Sequence, residues 1–133
     1  MFFGHLNIRN SVGLFGENAA VELLKRKGFR IVERNCKIGH WEMDIIAENK
    51  DVIAFVEVKT RTSVYGRNPE EYVDARKREH LTRFANAYVK MRHITKMPRI
   101  DIIGILKEKD TNKILEINHI EDAFLPRVRT YGH

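Results

Sequence analysis

The stretch Val52-Ile53-Ala54-Phe55-Val56-Glu57-Val58-Lys59 constrains the fold more than any other. In a strand, alternate residues share a face. Ile53, Phe55, Glu57 and Lys59 then lie on one side, and Val52, Ala54, Val56 and Val58 on the other. Both faces are apolar up to Glu57, so this strand reads as buried on both sides within a layered α/β domain.

The flanking patterns supply the layers. Leu14 to Lys27 reads as an amphipathic helix, with Ala20, Val21 and Leu24 on one face and Gly28 placed to end it. Phe29 to Cys36 reads as a short strand. Met43 to Ala47 and Val52 to Val58 form a hairpin around Glu48-Asn49-Lys50-Asp51, and Thr60 to Arg67 reads as loop. A second helix starts at Asn68 as N-cap, with Pro69 at its first position and Glu71 completing a capping box. Val73, Leu81, Phe84, Ala85, Tyr88 and Val89 recur at helical spacing along it. Ile100 to Leu106 and Ile114 to Ile120 are two more strands around Lys109-Asp110-Thr111-Asn112. The expected order is α-β-β-β-α-β-β, one mixed sheet with helices packed on it.

A chain of 133 residues, 43% hydrophobic, suits one compact domain over 1–133. Its single cysteine, Cys36, excludes an intrachain disulfide framework and fits a reducing compartment. No apolar run approaches the roughly 20 residues of a membrane span, and the first residues lack the pattern of a secretory signal. The expected setting is cytoplasmic, without a membrane partner.

Several charges fall where apolar residues belong. Glu57 and Lys59 end the doubly buried strand, roughly 6.6–7 Å apart along it. Removing such charges from water costs on the order of several kcal/mol unless they find partners. Asp44 interrupts Met43-Asp44-Ile45-Ile46-Ala47 and, in a hairpin, approaches Glu57 near its open end. Two carboxylates close together repel, and a divalent cation such as Mg²⁺ or Mn²⁺ relieves the repulsion. Glu17 lies on the buried stripe of the first helix and Lys77 on that of the second. All five can meet at one place. Each also has an ordinary structural reading: a Glu57–Lys59 ion pair at a strand end, or Asp44 capping a turn or paired with Arg34. Asp101, which interrupts Ile100-Asp101-Ile102-Ile103, is read as structural.

Taken in order, Gly13-x-x-Gly16-Glu17, Gly28-Phe29, Arg34-Asn35, Glu42-x-Asp44-Ile45-Ile46-Ala47, Phe55-Val56-Glu57-Val58-Lys59-x-Arg61 and Val73 with Lys77 resemble the YraN-like family of bacterial proteins. That family looks like a branch of the PD-(D/E)XK nuclease-like superfamily, related to archaeal Holliday-junction resolvases and type II restriction endonucleases. The resemblance spans roughly Ser11 to Leu106. It implies a restriction-endonuclease-like core in which Asp44, Glu57 and the backbone carbonyl of Val58 ligate Mg²⁺ or Mn²⁺. Lys59 would then position or deprotonate the attacking water or stabilise the phosphorane charge. Glu17 would lie in the outer shell of the metal or hold a second ion, and Lys77 would contact the phosphate region. Two positions depart from the pattern: Met43 rather than proline precedes Asp44, and Trp41 stands where the family often has glycine.

Charge placement agrees with a polyanionic partner. Between Arg67 and Arg99, nine basic residues, Arg76, Lys77 and Arg78 among them, face four acidic ones, which gives +5 of the total +6. With Arg61 they form the expected nucleic-acid contact, and Arg127 and Arg129 add a basic tail beside Tyr131. No helix-turn-helix, zinc-finger or RNA-recognition signature is present, so sequence-specific base reading is not supported. The six histidines lack metal-ligand spacing, Cys36 reads as a small buried residue, and Gly13-x-x-Gly16 lacks the lysine of a P-loop. The expected function is metal-dependent cleavage of branched or single-stranded DNA, in a chain that could act as a homodimer. A DNA-binding module without turnover and a protein-interaction domain are the alternatives.

Overall fold

The computed structural model describes residues 3–63 and 75–123, with side chains from Ser11 onward. Helix α1 (Phe3–Arg26) is followed by strands β1 (Arg30–Ile38), β2 (Trp41–Glu48) and β3 (Val52–Thr62), helix α2 (Ala75–Met91), and strands β4 (Met97–Lys107) and β5 (Ile114–Ile120). The five strands form one sheet in chain order. Only β3 and β4 are parallel, joined across α2; every other pair is antiparallel. This is the mixed α/β sheet with two flanking helices that the hydrophobic pattern predicts.

The doubly buried strand is where the pattern places it. Ile53 and Phe55 face the α2 side, in a core with Met43, Leu81, Phe84, Tyr88 and Ile100. Ala54 and Val56 face α1, in a second core with Ala20, Leu24, Phe29, Ile103 and Ile105. On the α2 side, Phe55 meets Phe84 and Tyr88 edge-on at centroid distances of 6.3 and 5.5 Å. Such pairs contribute about 0.5–1.5 kcal/mol each beyond their buried area.

The turns follow their chemistry. Gly28, at φ 92°, ends α1: its N–H donates to the Lys25 carbonyl while the Phe29 N–H reaches back to Leu24. This is the paired bonding of a helix closed by a left-handed residue. Asn49 Oδ1 accepts from the N–H groups of Asp51 and Val52 and so shapes the β2–β3 turn.

Three boundaries differ from expectation. Helix α1 begins well before Leu14. Strand β3 continues through Thr62, although Thr60 to Arg67 reads as loop. The parallel ladder to β4 carries it on, pairing Thr60 with Ile105 and Thr62 with Lys107. Pro98 lies inside β4, opposite Ile53, rather than at a junction. It is tolerated because β5 joins β4 only from Ile102 onward, so Pro98 has a sheet neighbour on one side alone. The helix start at Asn68, Pro69 and Glu71, the apolar position Val73, and the tail with Arg127, Arg129 and Tyr131 lie outside the described residues.

Candidate metal and phosphate site

The β2–β3 ladder runs from Glu48↔Ile53 to Ile45↔Val56 and stops there. Asp44 and Glu57 are the next residues on the two strands, at the open end of the hairpin. The Asp44 carboxylate takes up a backbone group of the partner strand: its Oδ2 accepts the Val58 N–H at 2.8 Å. Glu57 shares the α2-facing side of β3 with Ile53 and Phe55, and it is buried. The Glu57 carboxyl is near enough to raise Asp44 both by its charge and by a side-chain hydrogen bond.

Two lysines reach the same oxygen. Lys77 Nζ, from the first turn of α2, lies 3.3 Å from Glu57 Oε2, and Lys59 Nζ lies 3.9 Å from it. The expected separation of Glu57 and Lys59 along the strand is thus closed by their side chains, which form an ion pair. Asp44 sits among these charges with its carboxyl pushed up to about 7. Burial is the main cause, the Glu57 charge adds to it, and the Val58 N–H and the Lys77 charge partly offset both. A group poised there exchanges its proton near neutrality and gives it up readily to a cation.

Glu17 is positioned differently. It is buried on α1, and Arg34 donates to its Oε1 from Nη2 at 2.6 Å and from Nε at 3.1 Å. Asn35 Nδ2 donates to the same oxygen at 3.2 Å. Asn35 holds φ at 52° within β1, a backbone conformation that asparagine tolerates better than most residues. No hydrogen bond or ion pair among the described residues joins Glu17 to Asp44 or Glu57. The same helix turn nevertheless packs against the strand that carries the site: a Cβ on Gly16 would fall 1.7 Å from Thr60 Oγ1, one residue beyond Lys59. Arg34 and Asn35 are therefore the residues that hold Glu17, a role their sequence positions do not reveal.

Of the expected cationic residues, Arg61 is half-buried at the end of β3, with its Nη1 donating to the Thr60 carbonyl at 3.2 Å. Arg76 and Arg78 are exposed beside Lys77 at the start of α2. Asp101, by contrast, pairs with Val56 one rung from Glu57 but is fully buried on the opposite, α1-facing side of the sheet. Arg99 donates to both of its oxygens (2.9 and 3.0 Å), His119 Nε2 lies 2.8 Å from Oδ2, and the Asp122 N–H donates to Oδ1 at 3.0 Å. Burial pushes its carboxyl up, but these bonds outweigh burial and hold it below the ordinary range. Its role is structural, as the sequence suggests. Cys36 is half-buried rather than buried, and its thiol is raised to about 11, first by desolvation and then by Glu33, which favours the protonated thiol near neutral pH.

The donor set at the hairpin end is hard oxygen: two carboxylates and neighbouring backbone carbonyls. Among the described residues, no three His, Cys, Asp or Glu side chains gather as a metal cage. Two carboxylates are enough for an ion that keeps much of its water, which suits Mg²⁺ better than zinc.

Sheet and site together define a class: a mixed five-stranded α/β sheet that carries two carboxylates and a lysine where a hairpin opens, met there by a second lysine from the crossing helix. The family described as "Uncharacterised protein family UPF0102" matches residues 16–105, and the chain belongs to that family. It is 42% identical over 117 residues to a UPF0102 protein of Bacteroides thetaiotaomicron, covering 88% of this chain and 94% of that one. A UPF0102 protein of Flavobacterium psychrophilum is 39% identical, covering 86% and 94% of the two chains. One from Caldanaerobacter subterraneus is 40% identical, covering 87% and 96%. No helix among the described residues is long and apolar enough to cross a membrane.

Proposed function

We propose that this chain is a metal-dependent DNA endonuclease built on a PD-(D/E)XK nuclease-like scaffold. The observation that carries this reading is the convergence of Asp44, Glu57, Lys59 and Lys77 at the open end of one hairpin. Asp44 and Glu57, with the Val58 carbonyl, would hold Mg²⁺ or Mn²⁺, and that ion would lower the pKa of a bound water and offset charge at phosphorus. Ionised Asp44 and Glu57 supply the negative charge that retains the ion. Lys59, on the same face as Glu57, orients the attacking water and stabilises the extra negative charge as the phosphorus–oxygen bond breaks. The attacking water gives up its proton to solvent, and the departing oxygen leaves with a proton from solvent. Lys77, Arg61, Arg76 and Arg78 would contact flanking phosphates, and Glu17, fixed through Oε1 by Arg34, would lie in the outer shell of the ion or hold a second one.

The test compares wild type with Glu57→Ala on branched and single-stranded DNA in Mn²⁺, alongside calorimetric Mn²⁺ titration. Loss of both cleavage and metal uptake in the variant is expected; equal cleavage by the two proteins would overturn the reading. A second reading, DNA binding without turnover, is favoured by the two lysines already seated on Glu57 Oε2. It predicts salt-sensitive binding with no Mn²⁺ uptake by wild type.

A further inference from the structure

One aromatic side chain borders this site without serving its chemistry. Trp41 opens β2, three residues before Asp44 and so about 10 Å away along the strand. It lies at the sheet end where β2 has no ladder to β3. Its ring packs against the α2-side core, the side to which Glu57 and Lys77 also belong, and it is only half-buried. The exposed His40 ring stands beside it at 5.3 Å, tilted by 55° rather than stacked face to face. The exposed basic first turn of α2, with Arg76 and Arg78, is at the same end. An indole anchored on a core, a second ring next to it and cations at the same end of the sheet are the parts with which proteins hold unpaired bases while tracking their phosphates.

We propose that Trp41, with His40 at its side, is a stacking platform for an unpaired nucleobase of single-stranded DNA entering the Asp44–Glu57 site. The proposal rests on the nuclease reading for its substrate but not for its test. Stacking is indifferent to base identity, so the platform selects unpaired strand over duplex without reading sequence. Duplex bases, already stacked on their neighbours, cannot reach the ring.

Trp41 is the one tryptophan of the chain, so its emission reports this position alone. The experiment titrates the full chain, with chelator present so that no strand is cut, with a short oligothymidylate and with an abasic oligonucleotide of the same length and charge. The oligothymidylate should quench Trp41 emission and bind roughly tenfold more tightly than the abasic strand. Trp41→Ala, followed by anisotropy of a labelled strand, should bring the two affinities together, while Trp41→Phe keeps most of the difference. Equal affinity of wild type for both strands, or undiminished preference in Trp41→Ala, overturns the platform. If that happens while Glu57-dependent cleavage persists, the platform fails alone. If neither strand binds, the platform is overturned, and the nuclease reading is decided separately by Glu57-dependent cleavage in Mn²⁺.

Discussion

Lys77 Nζ stands 3.3 Å from Glu57 Oε2, so the helix that carries the chain from β3 to β4 places a cation on the carboxylate that β3 delivers. The lysine offsets part of the cost of burying Glu57, and it lowers the Asp44 carboxyl as well. It also occupies an oxygen that a metal ion would use. Lys77→Met should therefore tighten Mn²⁺ binding about 2–5-fold at pH 8.5, the equivalent of a half-exposed ion pair, while weakening DNA binding. Calorimetry and anisotropy read the two effects. Weaker Mn²⁺ binding would show that Lys77 supports the ion rather than competing with it.

The raised Asp44 carboxyl makes the metal-free protein pH-dependent in an unusual direction. Its folded value of about 7 lies above the ordinary carboxylate value of 3.8. The proton is thus held more tightly in the folded state, and the stability it contributes is present below pH 4 and lost as pH rises through 7. The loss is on the order of 2–4 kcal/mol relative to Asp44→Asn, which lacks the titration. Denaturant midpoints of both proteins at pH 5 and pH 8, in chelator, measure it. Mn²⁺ should restore more stability at pH 8 than at pH 5; a wild-type profile parallel to that of the variant would rule out a raised Asp44 carboxyl.

Gly16→Ala should destabilise the fold, against the usual helix preference for alanine. The helical gain is about 1 kcal/mol, whereas forcing a methyl into a filled space costs about 1–3 kcal/mol. Here the methyl would meet Thr60 Oγ1 at 1.7 Å and Thr60 Cβ at 2.9 Å, so turning the hydroxyl aside does not clear it. Adding Thr60→Ala should recover part of the loss in urea denaturation, and a Gly16→Ala protein as stable as wild type would refute the close approach.

Asp101→Ala removes the acceptor shared by Arg99, His119 and the Asp122 N–H, and leaves buried donors without a partner. A loss of about 3–5 kcal/mol is expected, with Asp101→Asn losing less. Because the Asp101 carboxyl is held low, its contribution is present above the ordinary carboxylate range and disappears as pH falls through its depressed value. The difference between wild type and Asp101→Asn should therefore shrink between pH 7 and pH 2 in thermal unfolding. A constant difference would place its role elsewhere.

The central strand was legible because strand geometry is local: alternation alone puts Glu57 and Lys59 on the face of Ile53 and Phe55. Asp44 was legible as a charge inside an apolar run, and the hairpin register then fixed its neighbour. The partners of Glu17 were not, since Arg34 and Asn35 reach it only once α1 lies across β1 and Asn35 takes a left-handed backbone turn. The extension of β3 through Thr62 was hidden for a similar reason. Thr60, Arg61 and Thr62 carry no strand pattern of their own and are extended because β4 pairs with them. Asp101 was visibly out of place, but His119, on another strand, had to be seen to explain it.

The strands lie side by side in the order in which they are synthesised, with a single parallel step between β3 and β4. The three antiparallel pairs close over short distances, whereas that one step waits for α2 to cross the sheet. On the ribosome, a chain that has just released β3 already holds Asp44 and Glu57 but has not yet landed Lys77 upon them. The cluster of two carboxylates and two lysines is therefore completed only when α2 docks, on a hairpin that has already formed.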